Sequence, residues 1–220
     1  MGRKLFILHT TGVTLEPLSV LFQEAIPNSE IFNILDDSIL PELIRHEGNV
    51  DVVADRVISY IQFAALGGAD LVLIACSSIG ELVDRAQYTV SIPVVRIDEA
   101  MAEKAISMGG DIAVLATLST TLGPTLRLLE CKAQEMERQV HIVAHLADPA
   151  YKSLVKGDRD GHDRLLIKKI HELHHNFDVI VLAQASMTSI LTDISDLELE
   201  KVLTSPLLGV EKVKSILVQD

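Results

Sequence analysis

Short runs of apolar residues alternate along the chain with longer segments in which apolar residues recur every three or four positions. The short runs are rich in Val, Ile and Leu, which is typical of strands buried on both faces of a parallel sheet. The longer segments have the period of amphipathic helices. The pattern therefore predicts the α/β fold class, with mainly parallel sheets flanked by helices. The predicted strands are residues 4–8, 31–35, 71–75, 94–97, 112–116, 141–144, 179–183 and 207–209.

One helix is especially clear in this pattern. Between Asp51 and Leu66, the residues Val53, Val57 and Ile61 fall on one face, followed by Ala64 or Ala65. Gly67 and Gly68 then provide a stop signal.

The two halves of the chain repeat one another. Residues 68–79 align with 176–187, so that Asp70 pairs with Asp178 and Cys76 with Gln184. Upstream, residues 5–11 match 112–119 and residues 33–37 match 144–148; downstream, 92–95 match 205–208. The period is too long for a solenoid. We therefore expect two pseudo-symmetric lobes, residues 1–97 and 98–207, with a C-terminal helix, 208–220, packing back on the first lobe.

Small polar residues follow four of the predicted strands. Parallel sheets bind ligands beyond the carboxyl ends of their strands, where helix N-termini supply free N–H groups. Taken singly, Ser78, Thr121 or Ser186 is more simply interpreted as a helix N-cap. Taken together, the polar residues could line one cleft suited to a carboxylate or phosphate. The candidate binding residues are His9, Thr10, Thr11, Ser77, Ser78, Thr117, Ser119, Thr120, Thr121, Ala185 and Ser186.

Cys76 is the candidate nucleophile or base, because it lies between a buried strand and a predicted helix start. Backbone N–H groups and the helix dipole at that position are expected to lower its pKa. A small buried apolar side chain is an equally good interpretation of this cysteine. Cys131, within a helical run, is interpreted as a packing residue.

Histidines give two weaker signals. The run from His171 to His175 formally matches the zinc-protease pattern H-E-x-x-H. Helical geometry places His171 and His175 opposite the stripe formed by Leu166, Ile170, Leu173 and Phe177, so no metal site is predicted. His9, at a strand end, is either a proton donor or a hydrogen-bonded structural residue.

Composition removes several classes of function. The 19 Lys and Arg residues against 31 Asp and Glu residues give a formal charge of −12, which argues against nucleic-acid and anionic-membrane partners. Two cysteines are too few for a disulfide framework, and no signal peptide or membrane helix is visible, so we expect a cytoplasmic protein. The chain has no phosphate loop and no G-x-G-x-x-G motif, so no nucleotide cofactor is predicted.

Over nearly its whole length the chain resembles the aspartate/glutamate racemase superfamily, which includes hydantoin racemases, maleate isomerases and arylmalonate decarboxylases. The resemblance lies in Leu73-Ile-Ala-Cys76-Ser-Ser78, Ile92-Pro-Val, Ala113-Val-Leu-Ala-Thr117 with Ser119-Thr-Thr121, and Val181-Leu-Ala-Gln184-Ala-Ser186-Met187. It implies two α/β lobes around a small carboxylate substrate, no cofactor, and a cysteine from each lobe acting on opposite faces of the acidic carbon. It is also compatible with a homo-oligomer.

The chain departs from this family at the second cysteine, where Gln184 stands. An amide has no useful pKa, so Gln184 can donate hydrogen bonds but cannot exchange a proton. Three hypotheses follow. The first is an isomerase that uses Cys76 as its only thiol at the carbon alpha to a carboxylate or carbonyl, with a one-thiol decarboxylase as its variant. The second is a racemase or epimerase in which His9 or a water replaces the missing base. The third is a non-catalytic binder of small carboxylates.

Overall fold

The computed structural model describes residues 2–218. They form eight strands and ten α-helices, with three short 3₁₀ segments at Gly12–Thr14, Ser77–Ile79 and Ala185–Asp193. The strands are β1 Lys4–His9, β2 Glu30–Leu35, β3 Leu71–Ile74, β4 Val94–Arg96, β5 Asp111–Ala116, β6 His141–Leu146, β7 Val179–Leu182 and β8 Val202–Thr204. The helices are α1 Leu15–Ala25, α2 Ile39–Arg45, α3 Asp51–Leu66, α4 Leu82–Gln87, α5 Glu99–Met108, α6 Ser119–Glu135, α7 Asp148–Val155, α8 Arg159–His174, α9 Asp196–Leu199 and α10 Ser205–Val218.

These elements form two four-stranded sheets, ordered β2-β1-β3-β4 and β6-β5-β7-β8. Every strand pair in both sheets is parallel. Helices flank each sheet, which confirms the α/β fold class and explains why the strands read as continuous apolar runs. One compact unit contains the described residues up to Glu99 together with those from Pro206, and the other contains Ala100–Ser205.

In the first unit, the sheet is covered on both faces. Buried residues of α2, α3 and α4 pack on one face, where Val53, Val57, Ile61 and Ala64 form the predicted stripe of α3. α3 ends at Leu66 with Gly67 as its C-cap, and Gly68 follows with a φ of +80°, a conformation that glycine adopts without strain. Buried residues of α1 and α10 pack on the other face.

In the second unit, α6 packs against β5 and β6, while α8 and the 3₁₀ segment Ala185–Asp193 pack together in a shared core. Leu166, Ile170 and Leu173 of α8 are buried there among Ile180, Leu182 and Met187 of the β7 region. The predicted stripe of this helix is therefore confirmed for these leucine and isoleucine positions, whereas Phe177 is only partly buried.

One predicted strand is wrong. Residues 207–209 lie in α10, and the last strand of the second sheet is Val202–Thr204 instead. The alignment of residues 92–95 with 205–208 fails for the same reason: Val94 pairs with Val72 of β3, and Val202 pairs with the corresponding Ile180 of β7. The Pro that each segment contains produced the false match, because Pro93 precedes a strand while Pro206 lies in the first turn of a helix, where its missing N–H costs nothing.

The repeat is otherwise visible in the backbone. Asp70 accepts a hydrogen bond from the N–H of Lys4, at the start of β1, at 2.7 Å. Asp178 accepts from the N–H groups of Gly110 and Asp111, at the start of β5, at 2.9 and 3.0 Å. The two aspartates therefore fasten the same pair of neighbouring strands in each unit.

These backbone hydrogen bonds lower the pKa of Asp178 below its ordinary value. A carboxylate with a lowered pKa in the folded state stabilises the fold above the pKa of the unfolded chain, about 3.9. That contribution is lost as the pH falls through the folded-state pKa. We therefore expect Asp178→Asn to unfold at a lower temperature than the parent at pH 7, with the difference shrinking below about pH 4.

Thermal unfolding at pH 7 and pH 3 measures this difference. Asp55→Asn is the matched control, since Asp55 is exposed on α3 and its side chain makes no hydrogen bond or ion pair within residues 2–218. A difference between Asp178→Asn and the parent that is the same at both pH values would contradict the role assigned to the Asp178 carboxylate.

Candidate functional site

In the first unit, the ends of β1 and β3 bring Thr10 and Cys76 together. Leu8 pairs with Ile74, and the N–H of Ala75 donates to the carbonyl of Leu8 at 2.9 Å. Two residues further along each strand come Thr10 and Cys76. The Thr10 hydroxyl is buried and has no hydrogen-bond partner within residues 2–218, but it lies close enough to the Cys76 sulfur to lower the pKa of that thiol.

Cys76 is the N-cap residue of the 3₁₀ turn Ser77–Ile79, and its carbonyl accepts a hydrogen bond from the N–H of Ile79 at 3.2 Å. The Thr10 hydroxyl, together with hydrogen bonds from both the hydroxyl and the N–H of Ser78 and from the N–H of Ile79, lowers the pKa of the thiol. The residue as a whole is half-buried, but removal of its sulfur from water acts in the opposite direction and has the larger effect, so the pKa of Cys76 is raised. The expected lowering is therefore wrong. Because the ordinary value is already about 8.5, the thiol is protonated at neutral pH.

His9, the residue before Thr10, is fully buried. Both nitrogens of its ring make hydrogen bonds. Its Nδ1 lies 2.8 Å from the Thr14 hydroxyl, and its Nε2 lies 2.9 Å from Oδ1 of Asn33. Burial lowers the pKa of His9, so the ring is neutral. In a neutral ring, Nε2–H donates to Asn33 and Nδ1 accepts from the Thr14 hydroxyl, whose single hydrogen then goes to the nearer His9 nitrogen and not to the Thr11 carbonyl 3.3 Å away. With both nitrogens engaged, His9 is a structural residue and has no free nitrogen with which to act as the second base.

Thr11 has a local structural role. Its hydroxyl accepts a hydrogen bond from the N–H of Val13 at 3.4 Å and so caps the 3₁₀ turn Gly12–Thr14. Asn33 and Thr14 were not identified from the sequence, although a buried polar residue such as His9 always requires partners of this kind.

In the second unit, Gln184 occupies the position that corresponds to Cys76. Leu115 pairs with Leu182, and the N–H of Ala183 donates to the carbonyl of Leu115, as Ala75 does to Leu8. Thr117 and Gln184 follow, matching Thr10 and Cys76. Oε1 of Gln184 accepts from the N–H of Thr117 at 2.7 Å and from the Thr117 hydroxyl at 2.8 Å.

These two contacts fix which way the amide of Gln184 faces. A backbone N–H can only donate, so the atom that it meets must be the amide oxygen. The NH₂ group consequently points away from Thr117, and it has no hydrogen-bond partner in the described part of the chain. Gln184 therefore presents two free N–H donors at the carboxyl end of the second sheet.

The remaining sequence candidates lie next to these two pairs. Ser77 and Ser78 are buried in the turn after Cys76, and Ala185 and Ser186 are partly buried in the 3₁₀ segment after Gln184. Ser119, Thr120 and Thr121 form the first turn of α6; Ser119 is exposed and the other two are buried. The Thr120 hydroxyl is buried without a partner within residues 2–218. A polar group left open at a helix N-terminus is suited to receive an anionic oxygen.

The interpretation of Ser78, Thr121 and Ser186 as N-caps is wrong. The cap positions are Cys76, Leu118 and Gln184, and none of the three side chains makes a capping hydrogen bond. The small polar residues lie one to three positions inside the helices instead.

The histidines of the H-E-x-x-H run lie on α8 and at its C-terminal end. His171 and His175 are exposed as expected, and His171 contacts the Glu198 carboxylate. Within residues 2–218, no group of three or more His, Cys, Asp or Glu side chains could hold a metal ion.

Cys131 is exposed, with its thiol 3.4 Å from a carboxylate oxygen of Glu135, so its interpretation as a packing residue is wrong. No helix among the described residues has the length and apolar character needed to cross a membrane.

The family is decided by a match over most of the chain. The model of the Asp/Glu/hydantoin racemase family matches residues 10–213. The chain belongs to that family. No curated protein sequence matches it.

Solved structures of racemases share the fold. A glutamate racemase isoform from Bacillus anthracis is similar with a TM-score of 0.75 at 18% identity, covering 98% of this chain and 81% of that one. An aspartate racemase from Picrophilus torridus gives 0.72 at 15% identity, covering 97% and 95%. Allantoin racemase from Klebsiella pneumoniae gives 0.63 at 17% identity, covering 98% and 87%. At these identities the likeness is one of fold.

The assignment of His9 generates a prediction. Since its pKa is lower in the folded state than the ordinary value of about 6.5, the unfolded chain takes up a proton first as the pH falls. The contribution of His9 to stability is thus complete above about pH 6.5 and is lost as the pH falls toward the folded-state pKa. We expect imidazole ¹⁵N NMR to show a neutral ring with Nε2 protonated at pH 7 and at pH 6.

Asn33→Leu should cost about 1–3 kcal/mol of unfolding free energy, because it leaves the buried Nε2–H without an acceptor. A His9 that is protonated at pH 7, or protonated on Nδ1 alone, would contradict the structural role and reopen the base role.

Proposed function

We propose that this racemase-family protein exchanges the proton on the carbon alpha to a carboxylate or carbonyl of a small acid, with Cys76 as its only thiol base. The observation that carries the proposal is the difference between the two matching pairs. Thr10 lies beside a thiol and Thr117 holds an amide. Family membership supports an enzyme of the racemase or isomerase class, and the pairs indicate which half of the chain moves a proton.

The proton-transfer step uses the hydrogen bonds around Cys76. Because the thiol is protonated at neutral pH, it first releases its proton to solvent. The thiolate then removes the α proton and forms the S–H bond, and the electron pair of the broken C–H bond passes into the enolate. The Thr10 and Ser78 hydroxyls and the N–H groups of Ser78 and Ile79 stabilise the thiolate before this step. The same thiol can return a proton to the enolate on the same face, after exchange with solvent.

In this proposal Gln184 binds charge and does not transfer protons. Its NH₂ group can donate to an anionic oxygen of the substrate carboxylate or enolate, a use for which fixed donors in a site are well suited. The unpartnered Thr120 hydroxyl supplies a further donor of the same kind. A small carboxylate is the substrate class that this set of donors favours, with Ser77, Ser119, Thr121 and Ser186 as the remaining candidate contacts.

The decisive experiment is ¹H NMR of α-proton exchange in D₂O, using a panel of small amino, hydroxy, keto and dicarboxylic acids. We expect Cys76→Ser to lower the exchange rate by about 10³-fold or more, because a hydroxyl is a far weaker base than a thiolate. Cys131→Ser is the matched control, since Cys131 is an exposed thiol on α6, and this variant should keep the parent's rate. Exchange that survives Cys76→Ser would overturn the proposal.

The stereochemistry and by-products of the same experiment separate the other hypotheses. Incorporation with retention is expected for one thiol. Inversion would show a racemase with a second base, loss of CO₂ would show a decarboxylase, and binding without exchange would show a non-catalytic carboxylate binder.

A second variant tests the role of Gln184. Gln184→Cys places a thiol at the position that matches Cys76, and we expect it to gain inversion on any substrate that the parent exchanges with retention. Gln184→Glu is the companion change: it keeps the acceptor for Thr117 but puts a negative charge where the NH₂ donors were. It should reduce kcat/KM by about 10–10³-fold through repulsion of the substrate carboxylate. An unchanged kcat/KM in Gln184→Glu would exclude Gln184 from the substrate site.

A further inference from the structure

The end of β4 carries a buried ion pair to which the proposed function assigns no role. Arg96 donates to Asp98 through two nitrogens, Nε to Oδ1 at 2.6 Å and one terminal nitrogen to Oδ2 at 3.0 Å. The Asp98 side chain is completely buried, and that of Arg96 is 11% exposed. A fork of two parallel hydrogen bonds fixes the plane of the guanidinium as well as its position.

The guanidinium lies directly on Gly80. A Cβ atom built on Gly80 would be 2.6 Å from Cζ of Arg96 and 2.7 and 2.8 Å from two of its nitrogens. No real Cβ comes so close, so the absence of a side chain at Gly80 is what allows the guanidinium to lie there. The φ of Gly80 is −58°, a value open to any residue, so backbone conformation does not require glycine at this position.

Gly80 closes the turn that surrounds the thiol. Its N–H donates to the carbonyl of Ser77 at 3.2 Å, and the N–H of Ile79 donates to the carbonyl of Cys76 at 3.2 Å. β4 is also attached to the strand that leads into Cys76, since Arg96 pairs with Ile74 and the N–H of Ile97 donates to the Ile74 carbonyl at 3.1 Å. The guanidinium is therefore fixed by its place at the end of β4 and by its hydrogen bonds to Asp98. It contacts Gly80, the last residue of the turn.

We propose that Arg96 is a positioning residue, whose guanidinium, locked by Asp98, holds the Cys76–Gly80 turn in the conformation that aims its N–H groups at the sulfur. The inference rests on Cys76 being the proposed functional thiol. It does not depend on which substrate is used.

The positive charge of the Arg96 guanidinium, and not its position, is the alternative explanation for an effect on the Cys76 thiol. The guanidinium is neutralised by Asp98, and the carboxylates of Glu81 and Glu99 also stabilise its charge. The groups that lower the pKa of Cys76 are hydrogen-bond donors of Thr10, Ser78 and Ile79. Displacing the turn should therefore weaken these donors and raise the pKa of the thiol further.

The experiment measures the rate of iodoacetamide alkylation of Cys76 against pH, in a Cys131→Ser background where Cys76 is the only thiol. Gly80→Ala keeps every charge and adds only the methyl group that meets the guanidinium. Arg96→Lys keeps the charge but loses the planar fork. Gly110→Ala is the control, since a Cβ at Gly110 would meet nothing within 4 Å. Circular dichroism establishes that each variant is folded.

We expect Gly80→Ala and Arg96→Lys each to move the alkylation profile upward by about half to one pH unit, which lowers the rate at pH 8 by about three- to tenfold. The double variant should shift no further than the larger single shift, because both changes break one contact. Gly110→Ala should overlay the parent.

Two outcomes would overturn the inference. The first is a Gly80→Ala profile that overlays the parent, even if the variant is less stable, since the contact would then be structural only. The second is an Arg96→Lys profile that overlays the parent, because charge and not position would then be the contribution. Either result leaves the proposed function standing, since that is tested separately by the α-proton exchange of the parent and of Cys76→Ser.

Discussion

The site depends first on the parallel pairing of neighbouring strands and on its register. Leu8 opposite Ile74, and Leu115 opposite Leu182, place the next residues of each pair of strands side by side at the carboxyl edge of a sheet. Without this register Thr10 would not reach Cys76, and Thr117 would not orient Gln184. Because side chains alternate between the two faces of a strand, a slip of one residue would exchange the side chains that pack in the two cores on either side of the sheet, so packing on both faces fixes the register.

On this shared backbone the two units carry different chemistry. A thiol can hold or release a proton, and its environment decides at which pH it does so. Burial raises the pKa of Cys76, and the turn donors partly offset that effect. An amide does not titrate, and Thr117 uses its oxygen, so Gln184 retains only donors. In the proposed function, this contrast assigns proton transfer to Cys76 and anion binding to Gln184.

The sequence predicted the layers and most of the strands, because buried parallel strands leave a strong apolar signal. It also aligned Cys76 with Gln184, since each follows an apolar strand of the same pattern in its own half of the chain. It failed at residues 207–209, where a proline occurs in two unrelated settings. It also misjudged the pKa of Cys76, because the N–H donors are visible in a strand–turn pattern but the degree of burial is set by side chains far away in the chain. The orientation of the Gln184 amide and the partners of His9 depend on contacts across strands, which no local pattern records.

The interaction between Arg96 and Gly80 was invisible in the sequence for a similar reason. In the sequence, Arg96 at the end of a strand and Asp98 two residues later look like ordinary charged residues of a strand–helix connection. Only the tertiary structure shows the guanidinium lying where a side chain at residue 80 would be. A buried ion pair of this kind contributes little net stability compared with apolar packing, since its Coulomb energy largely offsets the cost of removing both charges from water. In the proposed positioning role, the ion pair supplies a fixed and planar surface against Gly80, so its contribution to the turn after Cys76 is one of geometry and not of stability.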